Sequence, residues 1–149
     1  MKIITKNKKA FFDYEVLSRF EAGIVLKGDE VKSIRKGEIN LIGTFVTVHD
    51  HELFMINAFI SSYSHAFQKN EDLTRRSRKL LVHRKELNRL IGDIARKGIT
   101  LIPLALYLND KGLVKLEVGI CKHKKAHQKK EEIRERDIKR ETARELKNY

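Results

Sequence analysis

The chain has 149 residues, enough for one compact domain and at most an appendage. Its 32 Lys and Arg outnumber 20 Asp and Glu, which leaves a net charge of +12 and a pI near 9.9. So large an excess attracts polyanions, either nucleic acid or an anionic membrane face. No run of about 18 apolar residues offers a membrane-spanning helix, and the start, Met1 to Lys6, lacks the apolar core of a signal peptide. The single Cys121 has no partner for an internal disulfide, so a reduced, cytoplasmic setting is expected. Nucleic acid leads before any motif is read.

In chain order, residues 13–18 and 21–26 read as strands on either side of a short link. Residues 30–36 form a short helix with Gly37 placed to end it. Residues 44–48 alternate and are β-branched; with 53–59 they make a hairpin about His49-Asp50-His51. A longer helix spans 83–96, with Leu87, Leu90, Ile91 and Ile94 on one face and Gly98 beyond its end. Strands 100–108 and 113–120 flank the turn Asn109-Asp110-Lys111-Gly112. Val114, Leu116, Val118 and Ile120 share one face of the second of these. Pro103 lacks a backbone donor and belongs at an edge or a bulge. The pattern predicts a mainly β domain over residues 1–121, a small closed antiparallel β-barrel of OB type with two or three short helices. The alternative is an open antiparallel sheet with a helix on one face.

Composition changes at residue 122. Residues 122–149 hold eleven basic residues against six acids, a net charge of +5, and only Ile133, Ile138 and Leu146 as large aliphatics. So few apolar groups cannot offset an ordering entropy of roughly 1–2 kcal/mol per residue. A basic tail is expected that is disordered alone and helical on a partner. As a helix it would carry Arg136, Arg140, Arg144 and Lys147 within an arc of about 80°, with Ile138, Thr142 and Leu146 opposite. Glu132 with Arg136 and Glu135 with Lys139 add i, i+4 pairs worth ~0.2–0.5 kcal/mol each.

The densest basic cluster of the body is Arg75, Arg76, Arg78 and Lys79, whose guanidinium forks suit phosphate. Lys32 and Lys36, with Arg35 adjoining, share a face of the short helix that begins at Glu30. Lys8 and Lys9 supply point charges beside the amide of Asn7. Glu21 is an acid on a basic surface, able to accept from a base amino group or a 2′-OH, or to aim a neighbouring Arg. Cys121, His123 and His127 lack an evident fourth ligand, so no metal is expected. No catalytic set stands out, no cofactor is implied, and the expected activity is binding, not catalysis.

An ordered set of segments carries a resemblance. It comprises Asn7-Lys8-Lys9-Ala10 with Tyr14, then Phe20-Glu21-Ala22-Gly23, then Gly28 to Gly37 containing Glu30-Val31-Lys32-Ser33-Ile34-Arg35. Asn40, Thr74 to Leu81, Tyr107, Lys115-Leu116-Glu117-Val118-Gly119 and a tail with Ala143-Arg144 follow. In this order they resemble the SsrA-binding protein (SmpB) family over residues 7–148. The resemblance implies an OB-type barrel that binds the tRNA-like domain of transfer-messenger RNA as a monomer in a 1:1 complex. It also implies delivery of that RNA to stalled ribosomes for trans-translation. The barrel would replace a missing anticodon arm at the small-subunit decoding site, and the tail would fold in the empty messenger channel.

The resemblance puts Glu21 and Leu81 in the RNA-binding set, and Asn7, Glu30, Asn40 and His83 are expected there too, beside the cations named above. It assigns Lys124, Lys125, Lys129, Lys130, Arg136, Arg140, Arg144, Leu146 and Lys147 to the ribosome-binding tail. The chain departs from the pattern at Phe12, where members often carry His, and in the tail at His123 and Gln128. The alternative function is a generic OB-type binder of single strands, which stacks bases on aromatics. Seven Phe, four Tyr and no Trp leave few rings for that once the core is filled.

Overall fold

The structure is a computed structural model describing residues 1–62 and 71–147; for residues 71, 72, 126–128, 142 and 144–147 it describes the backbone alone. It is mainly β, a large antiparallel sheet with four helices among the described residues. The strands are β1 (Lys2–Lys6), β2 (Tyr14–Ile24), β3 (Ile39–Asn40), β4 (Phe45–His49), β5 (Glu52–Ile56), β6 (Phe59–Ile60), β7 (Arg78–Leu81), β8 (Thr100–Leu108) and β9 (Val114–His123). The helices are α1 (Lys8–Asp13), α2 (Gly28–Arg35), α3 (Arg84–Lys97) and α4 (Ala126–Lys147). Sheet order is β1-β8-β4-β5-β7-β2-β9, and β9 pairs with β8 as well; β3 and β6 form a separate pair. No helix among the described residues is long and apolar enough to cross a membrane.

Local signals place most of these elements. Asp50 and His51 take positive φ and close the β4–β5 hairpin. Gly98, at φ 61°, caps α3 in the left-handed conformation, which costs glycine no Cβ clash. Leu90 of α3 is fully buried, and Leu87 and Ile94 pack beside it on the main core. Register shifts between Pro103 and Ala105, so the proline without an N–H sits at a bulge.

One expectation is corrected, and one element is added to the reading. The strands read as separate at 13–18 and 21–26 are one strand, β2, because a bulge between Val16 and Ser18 breaks the alternation without ending the ladder. Residues 7–13 hold the short helix α1, capped where the Asn7 side chain accepts from the Ala10 N–H. Ala10 then packs with Ile102, Leu104 and Cys121 in a second, smaller core on the outer side of the sheet. β8 is thus buried on both faces, which its unbroken apolar run required. The boundary set at 121/122 falls inside β9, which runs on to His123.

Candidate RNA-binding surface

Register across four neighbouring strands builds the first part of the surface. Leu81 of β7 pairs with Gly23 of β2, Gly23 with Lys115 of β9, and Lys115 with Tyr107 of β8. Directly paired residues point to the same side of a sheet, so these four form one row. Gly23 leaves a gap in it: Leu81, 52% exposed, stands on one side and Lys115 on the other. The gap opens a groove of about 750 Å³ lined by Phe20, Glu21, Gly23, Leu81, Val82, His83, Lys85, Glu86 and Lys115. The structure thus brings Glu21, Leu81 and His83 together. His83 occupies the N-cap position of α3, yet its side chain makes no capping bond. Two residues along β2 from Gly23, Glu21 faces Glu117 of β9. Tyr107 donates its hydroxyl to Glu21 Oε2, and Arg19 holds Glu117 at 2.9 Å.

The basic cluster at 75–79 divides. Arg78 is wholly buried, with Nε 2.6 Å from Glu30 Oε2 and its η nitrogens donating to the carbonyls of Ala58, Leu73, Thr74 and Arg76. Arg76 bonds the other Glu30 oxygen, which also accepts from the Lys27 N–H. Burial alone raises the Glu30 carboxyl, but the hydrogen bonds from Arg76, the Lys27 backbone and Arg78, with the Arg78 charge, outweigh it and hold its pKa below the usual range. Arg78 and Glu30 were expected to face RNA; they face each other, because neither charge is stable in the interior unpaired. Asn7 is corrected likewise. It is buried, its amide nitrogen donates to the carbonyls of Leu41 and Pro103, and its oxygen accepts from Ala10.

Around that interior lie the remaining cations. Lys32 and Arg35 are exposed on α2, and Lys36 just beyond it. Arg75 is exposed, its guanidinium 5.4 Å from the Phe59 ring centroid and bonded to Asn57. Lys79 pairs with Glu52 at 3.0 Å. Asn40 is exposed and accepts from the Ile42 N–H. Lys8 and Lys9 are exposed on α1.

The root of the tail is tied to α1. Lys124 donates to the Phe11 carbonyl at 2.8 Å and pairs with Glu132. Lys129 reaches Asp13 at 3.2 Å, and Lys129 and Arg136 lie 5.9 and 5.2 Å from the Phe12 ring centroid. The Tyr14 and His123 rings are 4.4 Å apart at the base. Lys130 and Arg140 are exposed on α4, as is Lys125 just before it. The side chains of Arg144, Leu146 and Lys147 lie outside the described residues. Among the described residues, no three His, Cys, Asp or Glu are grouped to hold a metal.

Sequence reasoning missed Lys115, Tyr107 and Phe12 as parts of these surfaces. Only strand register places the first two, and a tertiary contact places the third.

The family model for SmpB protein matches residues 4–148. The SsrA-binding protein of Caulobacter vibrioides is 49% identical over 146 residues, 98% of this chain and 95% of the relative. That of Coprothermobacter proteolyticus is 43% identical over 147 residues, 99% of this chain and 98% of the relative. A chain in a solved structure presented as "tmRNA-SmpB: a journey to the center of the bacterial ribosome" is 45% identical. It superposes with a TM-score of 0.66 over 82% of this chain and 85% of that one. With its exposed cations and its groove of mixed chemistry, this chain belongs to the SmpB family of SsrA-binding proteins.

Proposed function

We propose that the chain binds the tRNA-like domain of transfer-messenger RNA and delivers it to stalled ribosomes for trans-translation, in the cytoplasm and as a monomer in a 1:1 complex. The observation that carries this reading is the SmpB match over residues 4–148. The groove adds the chemistry. A folded RNA offers 2′-hydroxyls, sugar faces and phosphates, and the groove offers a carboxylate acceptor at Glu21, an apolar face at Leu81 and cations at Lys115 and Lys85. Lys32, Arg35, Arg75 and Lys79 extend the positive field along α2, β7 and the turn that precedes β7. We take the pairing of β8 with both β4 and β9 as closure of an OB-type barrel. The tail, in this reading, enters the messenger channel, where Lys124, Lys125, Lys129, Lys130, Arg136, Arg140 and the residues after them meet the small subunit. The protein contributes binding and no covalent chemistry.

Sequence-tolerant binding of single strands needs open stacking platforms. The aromatic residues at this surface, Phe20 and Tyr107, are half-buried and buried.

The test is competition. A transcript of the tRNA-like domain should displace labelled RNA far better than poly-U of equal length at moderate salt. Equal competition would overturn the reading. Deleting residues 129–149 should leave that affinity nearly intact while abolishing rescue in a reconstituted translation assay.

A further inference from the structure

We infer that Tyr107 is a positioning residue for RNA recognition: it fixes one oxygen of Glu21 so that the other is aimed into the groove. The inference rests on the function proposed above.

A carboxylate on an exposed strand of a +12 protein is free to rotate, and a rotating acceptor reads RNA poorly. Here it is not free. Tyr107 is 8% exposed, set by its register with Lys115 on one side and Ile3 on the other, and its hydroxyl donates to Glu21 Oε2. Oε1 of Glu21 has no partner among the described residues. Burial first, then the bond to Glu21 and the charges of Glu21 and Glu117, push the Tyr107 pKa up, so the hydroxyl remains a donor across the usable pH range.

The neighbourhood sets this acid directly beside another and gives each its own tether. Glu21 and Glu117 are direct cross-strand partners, a like-charge pair that destabilises a sheet. Each has its own partner: Arg19 for Glu117 and Tyr107 for Glu21. A sheet built for stability alone would hold one acid there; two adjacent acids with separate tethers mark a place where local stability yields to function. Glu21 therefore presents a fixed acceptor beside Leu81 and Lys115, a geometry that fits a 2′-OH or an exocyclic amino group of a structured RNA.

The test is a double-mutant cycle on the full chain with Tyr107→Phe, Glu21→Ala and the pair. Affinity is read for the tRNA-like transcript and, separately, for poly-U, with thermal melts of every variant. Tyr107→Phe should weaken binding of the folded transcript by about 5- to 10-fold. It should leave poly-U binding unchanged and lose its effect once Glu21 is Ala. Unchanged affinity in Tyr107→Phe, or an undiminished loss on the Glu21→Ala background, would overturn the positioning role while the proposed function stands. A wild-type protein that fails to prefer the folded transcript would instead sink the function itself. If Tyr107→Phe proves too unstable, Glu21→Gln supplies the reading. It keeps an acceptor for Tyr107 but replaces one oxygen by an amino group, and it should lower the preference for the folded transcript; an unchanged preference counts against the role.

Discussion

Glu30 and Arg78, 48 residues apart in sequence, meet in the interior at 2.6 Å, and Arg78 has no solvent exposure at all. The pair fastens α2 to the start of β7, and Arg78 also collects the backbone carbonyls of Leu73, Thr74 and Arg76 just before that strand and of Ala58 before β6. Removing one partner of such a pair leaves the other buried and uncompensated, a loss of about 3–5 kcal/mol. Glu30→Ala should therefore lower the thermal midpoint by roughly 10 °C, at about 2–4 °C per kcal/mol for a domain of this size. A melt within a few degrees of wild type would show the pair to be dispensable.

The same carboxylate gives a pH dependence with a fixed sign. Its folded-state pKa lies below the ordinary value. The unfolded chain thus binds this proton first as pH falls. The stabilisation is complete above the unfolded-state pKa, near 4.3, and is lost as pH drops through the folded-state one. Urea midpoints measured between pH 7 and pH 3 should fall in wild type, and the Glu30→Gln variant should show a shallower decline.

Gly119 has no room for a side chain. A Cβ there would lie 2.8 Å from Leu104 Cδ1 and 3.0 Å from Cys121 Sγ, both in the smaller core under α1. Gly119→Ala should destabilise by about 1–3 kcal/mol through overpacking. Trimming the clashing side chain with Leu104→Val should make the double variant more stable than the two single losses predict. Strict additivity in denaturant titrations would speak against the clash.

Cys121 is fully buried, and burial pushes its thiol pKa up to about 11. The thiolate is the reactive form. Iodoacetamide should leave the folded protein unmodified at pH 8 and label it once denatured. Labelling at the rate of a free cysteine in native buffer would contradict the burial.

Phe12 holds the tail by two cations. Exposed cation–π contacts are worth ~0.5–1 kcal/mol each, so Phe12→Ala should speed hydrogen exchange in α4 by about two- to fivefold while leaving β9 protected. No change in α4 would mean the ring does not retain it.

What the sequence made legible was whatever local chemistry decides. The β4–β5 hairpin, the glycine that ends α3, the bulge at Pro103 and the apolar stripe of α3 all follow from residues within a few positions of one another. Helix α1 was hidden because six residues are too few to show a period. Arg78 read as one of four exposed cations because nothing near it reveals Glu30 as its partner. The groove was half visible. Glu21, Leu81 and His83 could be singled out by type and resemblance, but their meeting depends on Gly23 lying opposite Leu81 and Lys115, a register set by the whole sheet.

Strand β9 is hydrogen-bonded along nearly its whole length to β2 on one side and β8 on the other, and the tail continues from its end. A pull on α4 is therefore loaded along the strand, so that both ladders must slide together before either gives way. Tension on the tail should therefore be borne in shear by the two ladders of β9.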